Sequence, residues 1–272
     1  MLKSQAQNNQ AKRKILYISY DGILEPLGHS QVLKYLSFLS KDFSITLISF
    51  EKVYNSIDKR EFLEMQQYCL QENINWKPRR YHQGLSLISH LVNFFSIFYA
   101  PFTEMLKNGH QIIHIRSYMP GLGMPLLKMF FNFKLVFDIR GFWPDEKVDR
   151  LGWSNNSLKY KFFKALEIKL FQQADIVVTL TESSKEFIRD KFKKLSNSIR
   201  VIRTCVDFSE FNANKRAITP YDFNRKLVIG YLGSIDTAYD FSLFLRLIKD
   251  LDSRGLKIKL KILSKTTPEI VM

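Results

Sequence analysis

Short runs of Val, Ile, Leu and Tyr recur along this chain with helix-patterned stretches between them, and this alternation limits the fold more than any other feature. Strands buried on both faces read as continuous apolar runs, and each must be joined to a parallel neighbour by a crossover helix. Strands are predicted at 14–20, 44–50, 75–80, 111–116, 134–139, 176–180 and 200–202, with helices near 30–40, 57–71, 85–102, 120–131, 157–173 and 183–193. The fold class that follows is α/β: a Rossmann-like parallel sheet flanked by helices. Residues 208–225 lack periodicity, contain Pro220 and read as a linker. After them a strand (227–232), a helix (241–251) and a strand (257–263) open a second Rossmann-like unit. The expected organisation is a domain over 14–207, an inter-domain linker over 208–225 and an incomplete domain over 226–272.

Composition narrows the partners. Hydrophobic residues make up 46% of the chain and aromatics 14%, enough for a large core and unlike a disordered polymer. A formal charge of +15 and a pI near 9.7 point to an anionic partner: nucleic acid, an acidic membrane surface or a phosphorylated substrate. Basic residues are spread along the chain with no nucleic-acid module signature, which disfavours nucleic acid. Residues 85–102 are rich in Phe and Tyr but are interrupted by His90, Asn93 and Pro101, and they fall short of a membrane span. They read either as a buried helix or as one partly seated in a membrane interface. Cys69 and Cys205 belong to no metal-spaced cluster, His110 and His114 have no acidic companion ligand, and no signal peptide is evident, so a cytoplasmic protein without a metal is expected.

Candidate chemistry sits where predicted strands end, because open α/β sheets bind ligands at their carboxyl edge. The loop 21–30 carries Gly22 and Gly28 but lacks the Gly-x-Gly-x-x-Gly fingerprint, which removes the main support for a nicotinamide or flavin enzyme. Gly28, just before a helix, is read either as an opening for an anion or sugar at the free amides or as an ordinary turn; His29 is the one histidine in such a loop. Arg140-Gly141-Phe142-Trp143-Pro144-Asp145-Glu146 combines a cation, aromatic faces and two carboxylates. Those are the groups that a sugar site needs, with Asp145 or Glu146 a candidate general base. The competing reading is a helix start with a solvated acidic pair. Asp138, inside a buried strand, requires a partner, and Arg116 or Arg140 can supply it. Arg116 itself either holds a phosphate or pairs with a carboxylate.

Four runs, Pro26–Leu33 (PLGHSQVL), Ile115–Tyr118 (IRSY), Val136–Glu146 (VFDIRGFWPDE) and Ala174–Glu182 (ADIVVTLTE), resemble group 1 (family 4) glycosyltransferases of the GT-B fold. The run 201–207 resembles that family's inter-domain motif, and Gly230–Ser234 its donor-domain strand and glycine loop. The resemblance implies a glycosyltransferase that moves a sugar from a nucleoside-diphosphate donor to a lipid-linked or nascent saccharide in cell-surface polysaccharide synthesis. It further implies retention of configuration and no metal or other cofactor. The basic charge and the 85–102 segment lead separately to an expected peripheral attachment to the cytoplasmic face of an anionic membrane. Asp145, Glu146 and Arg140 are then the catalytic candidates, Gly28, His29, Arg116, Tyr118 and Trp143 line the acceptor side, and Gly233 and Ser234 belong to the donor side. The family's Glu-x7-Glu segment has no counterpart here, so the chain is read as truncated within its second domain and residues 1–272 alone are expected to be inactive. The alternatives are a non-catalytic remnant that binds acceptor or membrane and, less favoured, a Rossmann oxidoreductase or sugar epimerase.

Overall fold

The computed structural model describes residues 12–52, 54, 57–82, 87–193, 198–206, 226–235 and 240–264. The chain divides into two units, one of residues 1–149 and 153–206, the other of residues 150–152 and 207–272. The expected linker at 208–225 lies outside the described residues.

In the first unit seven strands, β1 (Lys14–Ser19), β2 (Ser44–Glu51), β3 (Ile74–Arg80), β4 (Ile112–Arg116), β5 (Lys134–Asp138), β6 (Ile176–Thr179) and β7 (Ile199–Val201), form one sheet. The order is β3-β2-β1-β4-β5-β6-β7, and every pairing is parallel. Strand side chains alternate between faces. Leu16 and Ile18 of β1 therefore join one core, with Ile97, Ala100, Phe137 and Phe171. Tyr17 between them joins the other, with Val32, Leu33, Leu36 and Leu47. Both faces are covered, which explains the unbroken apolar runs.

The first connection begins as α1 (Pro26–Gly28), passes through a π-helical turn (His29–Leu33) and continues as α2 (Lys34–Leu39). Then come α3 (Lys59–Gln71), α4 (Leu87–Asn108), a 3-10 turn (Pro120–Gly123) leading into α5 (Met124–Phe130), α6 (Trp143–Leu151), α7 (Leu158–Gln173) and α8 (Glu182–Lys191). Side-chain oxygens of Asp58, Ser157 and Thr181 accept from free amides at the starts of α3, α7 and α8, as N-caps do. Pro101, one of the residues that interrupt the apolar run, lies inside α4. The buried side chains of Ile97, Ala100 and Met105 on either side hold the helix against the sheet, so packing outweighs the lost amide donor. The opposite face of α4 is open: Leu91, Phe94, Phe95 and Tyr99 are each at least half exposed. Among the described residues no helix is long and apolar enough to cross a membrane.

The second unit contains β8 (Leu227–Leu232), α9 (Phe241–Ser253) and β9 (Ile258–Leu263), with β8 and β9 parallel. Tyr231 stacks on Phe241 and Phe244 of α9, and this aromatic trio joins helix to strands.

Candidate functional site

The order in which strands join the sheet reverses between β1 and β4: the connection after β1 runs to β2 on one side, and the one after β4 runs to β5 on the other. A crevice opens at such a switch point, beyond the strand carboxyl ends. Ser19, Arg116 and Asp138 end these three strands in register. Arg116 is buried, with its Nη1 3.9 Å from Asp138 Oδ2 and its Nε 3.6 Å from Asp21 Oδ2. The two candidate partners expected for Asp138 are thus both at hand. Burial pushes the Asp138 carboxyl up to about 6, against the pull of Arg140 and Arg116.

Arg140 follows two residues later in a left-handed conformation (φ 57°), as does Ser117 after β4 (φ 68°). Backbone bonds fix this turn: Ser117 N–H donates to the Asp138 carbonyl at 2.7 Å, and Gly141 N–H to that of Ile139 at 2.7 Å. Non-glycine residues avoid this region unless their surroundings over-determine it, and such positions cluster at functional sites. Arg140 Nη2 donates to Gln31 Oε1 at 2.9 Å and to Thr204 Oγ1 at 3.2 Å. Arg116 Nη2 donates to the same Gln31 oxygen at 2.8 Å. Gln31 lies in the π-helical turn, a local widening that recurs at functional sites.

An internal carboxylate organises the first loop. Glu51, fully buried at the end of β2, accepts from Ile23 N–H at 3.0 Å, Leu24 N–H at 3.1 Å and Ser49 Oγ–H at 2.5 Å. These amides are already satisfied by an internal carboxylate. Gly28 is also turned inward: a Cβ there would collide with the Gly22 carbonyl, so close backbone approach accounts for this glycine. His29 stacks near Tyr68, with centroids 6.0 Å apart.

The segment 140–146 is not an open loop, because α6 starts at Trp143. Pro144 presets the first turn, and Asp145 and Glu146 place negative charge at its positive end. Trp143 packs edge-on against Phe163 at 4.7 Å and Trp153 at 5.7 Å, with Lys147 over its ring. Tyr118 is wholly buried and donates to Glu167 Oε2 at 2.6 Å, so it offers no surface to a substrate. The Tyr118 ring thus lies in the core, while that of Trp143 is half-buried against it. Asp145 accepts from Tyr160 Oη at 2.8 Å and Lys164 Nζ at 3.0 Å, and Lys164 also reaches Glu167 at 2.5 Å. This chain of bonds ties α6 to α7 and to Tyr118. Glu146, by contrast, folds its carboxylate beside Gly141 and makes no hydrogen bond or ion pair among the described residues. Of the acidic pair, it is the one left available.

In the second unit Gly233 follows β8 and donates to the Leu263 carbonyl at 3.1 Å, while the Ser234 carbonyl accepts from Tyr231 Oη at 2.8 Å. Among the described residues no three His, Cys, Asp or Glu side chains gather where they would hold a metal.

Gln31, Asp21 and Glu51 were not singled out from sequence. Gln31 was visible only as a polar residue on an amphipathic helix, and Glu51 as a carboxylate ending a buried strand, the same signal that marked Asp138.

The sequence matches Glycosyltransferase Family 4 over residues 68–210. No curated protein matches it by overall sequence. Its fold is similar to sucrose-phosphate synthase from Thermosynechococcus elongatus (TM-score 0.52, 13% identity, 96% of this chain and 72% of that one). A glycosyltransferase from Rickettsia africae is also similar (0.51, 17% identity, 96% and 70%). So is a UDP-N-acetylglucosamine 2-epimerase (0.54, 10% identity, 92% and 63%). At these identities the likeness concerns fold alone.

Proposed function

This chain belongs to Glycosyltransferase Family 4, and from that membership we propose that it moves a sugar from a nucleoside-diphosphate donor onto a lipid-linked or nascent saccharide, with retention of configuration, during cell-surface polysaccharide synthesis. The family match carries the transferase reading. The fold alone would also suit the UDP-N-acetylglucosamine 2-epimerase, which likewise acts on a nucleoside-diphosphate sugar.

In such a transfer the acceptor oxygen bonds to the anomeric carbon while the bond from that carbon to the diphosphate oxygen breaks. The acceptor proton leaves with the diphosphate or with a nearby base. Negative charge grows on the leaving group, so fixed cations lower the barrier, and the protein's remaining task is to orient the acceptor hydroxyl. Arg140, half-buried at the switch point, and Glu146, beside Gly141, are the acceptor-side residues that this reading favours. Arg116, which shares Gln31 with Arg140, and His29, in the same turn as Gln31, complete the acceptor side, and Gly233 with Ser234 belongs to the donor-side unit. Asp145 is assigned to support rather than chemistry, because both of its oxygens are already bonded.

The open apolar face of α4 and the net charge of +15 support peripheral attachment to an anionic membrane. Deleting the gene and analysing lipid-linked saccharides tests the function. An intermediate one sugar short should accumulate and disappear on complementation. An unchanged saccharide profile, or loss of a sugar nucleotide in place of a transfer step, would refute it.

A further inference from the structure

The switch-point cluster sets two cations, Arg116 and Arg140, against two carboxylates, Asp21 and Asp138, neither of which hydrogen-bonds a guanidinium among the described residues. Arg116 and Arg140 leave neighbouring strand ends and converge on a single neutral oxygen, Gln31 Oε1, at 2.8 and 2.9 Å. Guanidinium groups this close repel each other, and the arrangement stays favourable only if negative charge answers both. Arg116 has Asp21 and Asp138 within ion-pair distance, but both lie beyond hydrogen-bond length, and its buried Nε has no acceptor. Among the described residues the Arg140 side chain hydrogen-bonds only the neutral Gln31 and Thr204, and Asp138 and Asp21 act on it from beyond ion-pair distance. Its backbone is held left-handed to present the side chain there. The nearby amides most suited to an anion, those of Ile23 and Leu24, are occupied by Glu51. An oxyanion entering this crevice therefore meets guanidinium rather than main chain.

We propose that Arg140, backed by Arg116 and set in place by Gln31, is a subsite for a phosphate or diphosphate group carried by a substrate. A planar guanidinium suits the two-point recognition of phosphate oxygens, and Arg140 keeps Nε and Nη1 for it. Gln31 is a positioning residue: one oxygen holds two cations without neutralising either. The identity of the substrate rests on the transferase reading; binding of the anion does not.

Calorimetric titration of the whole chain with inorganic pyrophosphate tests the subsite. Wild type should bind it saturably and glucose not at all. Arg140→Gln should weaken binding about tenfold or more, and Arg140→Lys, which keeps charge but loses the fork, should fall between. Gln31→Glu separates positioning from mere packing. A carboxylate there would pair with both guanidiniums, so the fold should melt no lower than wild type while pyrophosphate binding falls at least about tenfold. Lys159→Gln, on the exposed face of α7, removes one charge elsewhere and should leave affinity unchanged. Absence of saturable binding to wild type, or wild-type affinity in Arg140→Gln and Gln31→Glu, would overturn the subsite and return the effect to diffuse positive charge. UDP and a short-chain polyprenyl diphosphate, each competed against pyrophosphate, show whether donor or acceptor brings the anion. Loss of binding in these variants with no transfer ever detected would sink the transferase reading alone. Transfer with pyrophosphate-insensitive variants would sink the subsite alone.

Discussion

Glu51→Ala should destabilise the sheet unit by about 2–4 kcal/mol, although Glu51 touches nothing in the crevice. In the folded chain its carboxylate accepts from Ile23 N–H, Leu24 N–H and Ser49 Oγ–H. The Ile23 site is fully buried, so its amide would be left without a partner at a cost of about 1–3 kcal/mol. Leu24 is only partly buried and regains water, adding up to about 1 kcal/mol. Ser49 still receives Trp76 Nε1–H at 2.7 Å but its own hydroxyl loses an acceptor. Against these losses, burial pushes the Glu51 carboxyl above its usual range, and that strain disappears with the side chain. Losses dominate because three donors are stranded for one charge relieved. For a unit of roughly 150–250 residues the midpoint should fall by about 4–16 °C. Urea denaturation measures the free energy, and amide exchange at Ile23 and Leu24 localises it. A change below about 0.5 kcal/mol with both amides still protected would refute an internal carboxylate as the organiser of this loop.

The acidic pair should split by role: Asp145→Asn lowers stability by about 1–2 kcal/mol by breaking its bonds to Tyr160 and Lys164, whereas Glu146→Gln leaves the melting temperature nearly unchanged and cuts turnover. Thermal melts beside transfer rates check this, and equal effects of the two on both readouts would contradict it. His114 is buried against Tyr17 and pushed down to about 3, first by desolvation and then by Arg116. Between roughly pH 6.5 and 3 the unfolded chain therefore takes a proton that the folded chain refuses, so stability from this group is full above that window and falls with acidification. His114→Phe should flatten that part of the stability profile, and an unaltered slope would count against it. Co-sedimentation with vesicles should require anionic lipid and weaken between low and high salt, since surface attraction is screened. Binding indifferent to salt, or absent with anionic lipid, would remove the membrane from the account.

The succession of strands and helices along the chain and the two-faced core were legible because periodicity records burial, whereas the order of the strands in the sheet was not. Asp138 was legible for a similar reason: a carboxylate inside an apolar run must find a cation, and Arg116 and Arg140 were the available ones. Which way an aromatic points was not legible. Tyr118 has the face a sugar ring needs, but its partner Glu167 is distant in sequence and holds it in the core, while Trp143 is half-buried against Phe163. Gln31 escaped notice because its role depends on two residues 85 and 109 positions away. The helix start at Trp143 was the bland alternative for the 140–146 segment, and the proline that marked it was read as part of a loop.

Transfer itself is the most direct test. The native gene product, incubated with a panel of nucleoside-diphosphate sugars and lipid-linked acceptors, should increase the acceptor mass by one glycosyl residue and release one nucleoside diphosphate per transfer. Arg140→Gln should suppress that product. Acceptor left unchanged with every donor, or a donor converted to its epimer without transfer, would contradict the assignment.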